Sequence, residues 1–211
     1  MRFLWGLALT MGVGILAGCA SPPKTYPGPG GISYQEDKDL QKVWLATNFT
    51  FSGYDTIYIT DTLAQVAPKA DEAAVFELAK KNVRDEFAAA IQERRIFRNV
   101  VTRQSDVAQG SRALVMTNYI TEFRKGGGGA RYFAGGYGAG QPVIQIHGIL
   151  FDQGRPVFDF ESRRSGDSAG SRMFGGFMKD EDIQLGDIRA MAKYLADFMS
   201  RTAQGMRGAP K

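Results

Sequence analysis

Between Tyr54 and Thr102 the hydrophobic period of the chain changes from two to about 3.6 and back, and few architectures accommodate that switch. "YDTIYIT", Tyr54 to Thr60, is rich in β-branched and aromatic residues and closes on Asp61, which reads as a strand. From Asp71 to about Arg94 apolar residues recur at helical spacing: Val75 or Phe76, Ala79, Val83, Phe87 and Ile91. Acids sit in the first turn, and Arg94 and Arg95 are expected in the last, the signs the helix dipole favours. "FRNVVT" then returns to strand character. A β-α-β start of this kind implies a crossover and a parallel pair.

The remaining elements follow the same logic. "ALVMTNYITEF", Ala113 to Phe123, and "PVIQIHGILFD", Pro142 to Asp152, read as strands. "DQGR" is a tight turn into "PVFDFESRR", where Phe158, Phe160 and Ser162 alternate with Val157, Asp159 and Glu161. A last helix from about Asp182 to Thr202 carries the stripe Ile188, Met191, Ala192, Leu195, Phe198 and Met199. The expectation is one α/β domain of α+β character: a mixed, mostly antiparallel sheet with a β-α-β start, a C-terminal amphipathic helix, and helices on one face. Residues 33–51 stay ambiguous between a short helix and an edge strand.

The N-terminus reads differently. Arg2 precedes the apolar run "FLWGLALTMGVGIL", and "LAGC" ends at Cys19, the only cysteine in the chain. The run is short and early for a membrane span, and Ala17 and Gly18 leave room for a peptidase, so residues 1–18 are expected to be a signal peptide cut between Gly18 and Cys19. One cysteine cannot build a disulfide framework. "LAGC" resembles a bacterial lipobox, which implies a diacylglycerol on the Cys19 sulfur and an acylated amine, several chains that together give stable anchoring. Ala20 and Ser21 lack the aspartate that marks inner-membrane retention in many such lipoproteins, so the resemblance implies the outer membrane, periplasmic side. "ASPPKTYPGPGG" follows, making residues 19–31 a lipidated cysteine with a proline- and glycine-rich tether. Residues 32–203 form the periplasmic domain and 204–211 a tail. The net charge of +4 is spread among acids, as in "KKNVRDEF", and makes no basic stripe, so nucleic acid is not an expected partner.

"GGGGARYFAGGYGAGQPV", 126–143, raises the question of a phosphate cradle. A phosphate loop needs a helix after it, and this one leads into a strand with Pro142 at its start. Arg131, Tyr132, Phe133 and Tyr137 among the glycines also do not suit a plain linker. The preferred reading is an elaborate strand connection whose aromatics either pack on the sheet or present themselves to a partner. If 113–123, 142–152 and 156–164 form a meander, this loop shares an end of the sheet with "SGDSAGSRMFGGFMKD", which carries Met173, Phe174, Phe177 and Met178. Methionine and aromatics on glycine-hinged loops make an adaptable docking surface.

The run "ARYFAGGYGAGQPVIQIHGILFDQGRPVFDFESR", with the preceding "YITEF" and the final amphipathic helix, resembles the Gram-negative lipoprotein family catalogued as domain of unknown function 4410, over about Tyr54 to Met199. The resemblance implies the architecture and the lipidation; that family has no established activity, so it implies no catalytic residues. A looser similarity in element order is to the small α/β domains of outer-membrane accessory lipoproteins.

His147, the only histidine, lies mid-strand with no recognisable nucleophile and no metal-ligand set, and is expected to be structural. Asp159 and Glu161 share a strand face and invite a glycosidase reading, but their spacing is ordinary alternation and paired acids normally come from separate elements. A solvated face with Arg163 and Arg164 as salt partners is expected instead. The sequence thus points to a non-enzymatic lipoprotein held in the outer membrane through lipid on Cys19, without metal or cofactor, binding an envelope protein or a peptidoglycan-related partner through Arg131 to Tyr137 and Met173 to Met178. A periplasmic hydrolase or sugar-modifying enzyme using Asp159, Glu161 or His147 and a self-assembling structural lipoprotein are the alternatives, and the oligomeric state is left open.

Overall fold

The structure, a computed structural model, describes residues 24–28, 31–127, 140–166 and 179–205. In chain order the strands are β1 (Thr25–Pro27), β2 (Ser33–Asp37), β3 (Gln41–Leu45), β4 (Thr56–Ile59), β5 (Leu63–Ala64), β6 (Asn99–Val101), β7 (Ala113–Arg124), β8 (Val143–Asp152) and β9 (Arg155–Arg164). Helix α1 (Ala73–Glu93) lies between β5 and β6, and α2 (Asp180–Ala203) follows β9. Among the described residues the strands make one nine-stranded sheet in the order β1-β2-β3-β9-β8-β7-β4-β6, with β5 also beside β7.

The expected fold is the observed one. β4 and β6 pair in parallel across α1, and β7, β8 and β9 form the antiparallel meander. Gln153 and Gly154 both take positive φ, 48° and 81°, in the two-residue turn that the β8–β9 hairpin needs. α1 ends where Arg95 turns left-handed, so Arg94 and Arg95 sit just beyond the helix. The ambiguous segment resolves into the β2–β3 hairpin, with β3 antiparallel to β9. The sheet also begins earlier than expected: Thr25–Pro27, inside the segment read as tether, is the edge strand β1. A proline is tolerated there because an edge strand leaves N–H positions unused.

Both helices lie on one face. The even positions of β8, Ile144, Ile146, Gly148 and Leu150, are buried beneath them, as are Leu114, Met116 and Ile120 of β7 and Phe158 and Phe160 of β9. Aromatic rings form the spine of this core: Phe198 and Phe160 each stack on Phe158, with centroids 5.3 and 5.7 Å away, and Phe76 meets Phe123 edge-on at 4.9 Å. The fully buried rings among them, Phe76, Phe158 and Phe160, each contribute about 1.5–3 kcal/mol by burial. Arg189–Glu86 (3.0 Å) and Arg94–Asp197 (2.5 Å) join the helices at the same sequence offset, so α1 and α2 run in the same direction. No helix among the described residues is long and apolar enough to cross a membrane.

Candidate functional site

The opposite face carries no helix among the described residues, and its side chains fall into rows set by the strand register. Tyr26 pairs with Tyr34, the β2–β3 register carries Tyr34 to the position opposite Trp44, and Trp44 pairs with Asp159, which pairs with Ile149. That row is aromatic from β1 to β3, acidic at Asp159 and aliphatic at Ile149. The next is polar: Glu36, Lys42, Glu161, His147 and Tyr119 are successive cross-strand partners from β2 to β7. A third row holds Arg163, Gln145 and Glu122. A bulge between Ile120 and Glu122 keeps Glu122 in line with Gln145.

Hydrogen bonds knit these rows together. His147 Nε2 lies 2.8 Å from Asp159 Oδ1, a diagonal contact from β8 to β9. Glu161 accepts from Lys42 Nζ at 2.5 Å and from the Gln145 amide. Glu122 accepts from Arg163 Nε at 2.7 Å and from Arg124 Nη2 at 3.3 Å. The Tyr119 ring sits beside the imidazole, centroids 6.1 Å apart.

Electrostatics follow from that wiring. The hydrogen bond to Asp159 raises the His147 pKa above its ordinary 6.5 against the opposing effect of burial, with the charges of Asp159 and Glu161 adding to the rise. Burial, then the charge of Asp159 and a hydrogen bond to it, raises the Tyr34 phenol far above its ordinary range, so it stays a donor. The hydrogen bond from Arg163 lowers the Glu122 carboxyl.

Asp159 is 3 % exposed, which corrects the expectation of a solvated acid. Neither arginine expected to pair with it does so in the contacts that define the face: Arg163 reaches Glu122, and Arg164 lies over the Tyr194 ring at 4.7 Å on the helix-covered side. Asp159 and Glu161 do share a face, yet each is engaged by a different partner, His147 for one and Lys42 for the other. Tyr34, Lys42, Trp44, Tyr119, Gln145 and Glu122 belong to this surface and were not singled out from the sequence. Alternation in β7 and β9 was the available signal, but the contributions of β2 and β3 depend on a hairpin that the sequence left undecided.

Gly18, Cys19, Arg131, Tyr132, Phe133, Tyr137, Met173, Phe174, Phe177 and Met178 lie outside the described residues. The described bases of the two glycine-rich loops do meet. Gly127 N–H donates to the Gly140 carbonyl at 2.9 Å, Gly166 lies against Gln141 and Pro142, and the Gly166 N–H donates to Asp187 Oδ2 at 2.7 Å. Among the described residues no group of three or more His, Cys, Asp or Glu is placed to hold a metal ion.

No family model matches the chain, and no curated protein does. Solved structures give weak likenesses. A PelC dodecamer from Paraburkholderia phytofirmans is 14% identical, with 72% of this chain and 96% of that one covered, at a TM-score of 0.47. A protein from Xanthomonas campestris of the family named domain of unknown function 330 is 12% identical, over 71% of this chain and 86% of that one, at 0.42. Likenesses at this level carry no function to this chain.

Proposed function

We propose that this chain is a lipid-anchored outer-membrane lipoprotein whose periplasmic domain is a non-enzymatic binding or accessory module for another cell-envelope component. The membrane part of the reading rests on "LAGC" and on the resemblance to domain of unknown function 4410. The observation that carries the binding part is the sheet face that bears no helix among the described residues. An aromatic row containing Trp44 runs beside a row of charges joined to one another, so the surface offers apolar area without a strong field of either sign. The described bases of the loops that bear Arg131 to Tyr137 and Met173 to Met178 meet at one end of this sheet.

Photo-crosslinking in living cells, from a reactive amino acid at Tyr119 in one strain and at Tyr137 in another, tests this. One defined envelope protein or glycan as the adduct supports the module and shows which surface holds it. Absence of any adduct at both positions, with the protein lipidated and folded, rejects it.

A second reading draws on the His147–Asp159 pair, since a histidine oriented by a buried carboxylate is what a periplasmic hydrolase would use as a base. Asp159→Asn decides between the readings. Loss of hydrolysis of envelope glycans or esters with an unchanged fold would favour the enzyme, and unchanged crosslinking with no measurable hydrolysis in either protein favours the module.

A further inference from the structure

The sheet face without helices carries one more row, and it is apolar. Ile57 and Ile59 of β4, Leu114 and Met116 of β7 and Leu150 of β8 point into the core, so by alternation Tyr58, Val115 and Phe151 point away from it. These three are successive cross-strand partners, and Val101 of β6 pairs with Tyr58, so the row crosses four neighbouring strands. All four side chains are half-buried, and none belongs to the core beneath the helices. Ile149 and Trp44 lie between this row and the polar one.

Two properties of this surface narrow what it can hold. Lys42 pairs with Glu161 and Arg163 with Glu122, while Asp159 is buried against His147, so a charged polymer finds no strong field to complement. The same contacts hold these side chains in place, which sets ordered donors and acceptors along one flank of an apolar strip. In addition, the backbone groups of β7, β8 and β9 are bonded to one another, so this face offers side chains only and cannot bind by strand addition.

We propose that this face is a platform for a neutral β-1,4-linked glycan strand, lying across the sheet with its ring C–H faces on the apolar row and its hydroxyl edges toward the polar one. The proposal rests on the binding-module reading and names the class of component bound. A sugar ring shares the division of this surface: apolar C–H faces sit against the negative faces of aromatic rings, and hydroxyls both donate and accept. An extended β-1,4 chain also repeats at close to the interstrand distance of about 4.7–4.9 Å, so successive sugars meet successive strands. An α-1,4 chain coils and loses that match.

Calorimetric titration of the full chain, in micelles of a detergent without sugar headgroups, with cellohexaose, chitohexaose and maltohexaose tests this, and amide chemical shifts locate the site. Saturable binding of cellohexaose or chitohexaose is expected, with shifts confined to β3, β4, β6, β7, β8 and β9. Trp44→Ala and Phe151→Ala are each expected to weaken it about tenfold, as loss of an aromatic anchor does. Maltohexaose should bind more weakly than the better β-1,4 chain. Binding of neither β-1,4 chain, shifts outside those strands, variants that bind as the unmodified chain does, or equal binding of maltohexaose each overturns the proposal. If neither β-1,4 chain binds but crosslinking from Tyr119 captures an envelope protein, the glycan is wrong and the module stands. If crosslinking at both positions is empty as well, both fall. Should a variant fail to fold, the shift map on the unmodified chain decides.

Discussion

Gly148 is the position where a single atom matters most. It sits mid-β8 on the helix-covered face, and a Cβ there would lie 2.5 Å from Phe160 Cζ and 2.9 Å from Asn118 Oδ1. The Phe160 ring is stacked on Phe158 and has little room to retreat. Gly148→Ala is therefore expected to destabilise the domain by about 1–3 kcal/mol through overpacking, read as a lowered urea midpoint at unchanged slope. A midpoint equal to that of the unmodified protein would mean the core yields more than its packing implies. Asp159 poses the opposite problem, since its removal leaves donors without an acceptor. Asp159→Ala is expected to cost about 1–3 kcal/mol by stranding His147 and Tyr34, and Asp159→Asn, which keeps a carbonyl oxygen, distinctly less. Equal losses in the two denaturation curves would show that the carboxylate's hydrogen bonds contribute nothing.

At the scale of elements, the three central strands are tied across their open face by Glu122, Gln145 and Arg163. Both partners of the Arg163–Glu122 pair are more than a third exposed, so solvent screening keeps its worth to about 0–1 kcal/mol. Because Glu122 has a lowered folded pKa, that contribution is present above its ordinary 4.5 and is lost as pH falls through the folded value. The difference in urea midpoint between the unmodified protein and Glu122→Gln should shrink on acidification below that point, and a difference that grew would reverse the assignment. Elements with a long periodic signal were legible: α1, α2 and the meander each carry ten or more residues of consistent alternation or helical spacing. β1, β2 and β3 have three to five residues each and mostly exposed or half-buried side chains, so neither period emerges. Pro27 and the neighbouring glycines also made β1 look like linker. The same gap hid the site. Asp159 reads as a solvated acid from its own strand and becomes a buried one only when β2 and β3 bring Tyr34 and Trp44 alongside it.

For the molecule as a whole, the position of β1 bears on the proposed anchor. Only Ala20, Ser21, Pro22 and Pro23 separate Cys19 from Lys24, where the described chain begins beside β1. At roughly 3.3–3.6 Å per extended residue, five steps span no more than about 18 Å, so lipid on Cys19 would hold the β1 edge of the sheet close to the bilayer. Anchoring and folding remain separable, because among the described residues the core between the sheet and the two helices uses none before Leu40. Cys19→Ala is accordingly expected to yield uncleaved precursor without lipid whose domain keeps the unmodified protein's hydrogen-exchange protection in β7, β8 and β9. Metabolic labelling with a fatty acid, together with the precursor's size on a gel, checks the first part. A Cys19→Ala protein that is still processed and labelled would remove the lipoprotein reading, and lost protection in the central strands would show that the anchor supports the fold.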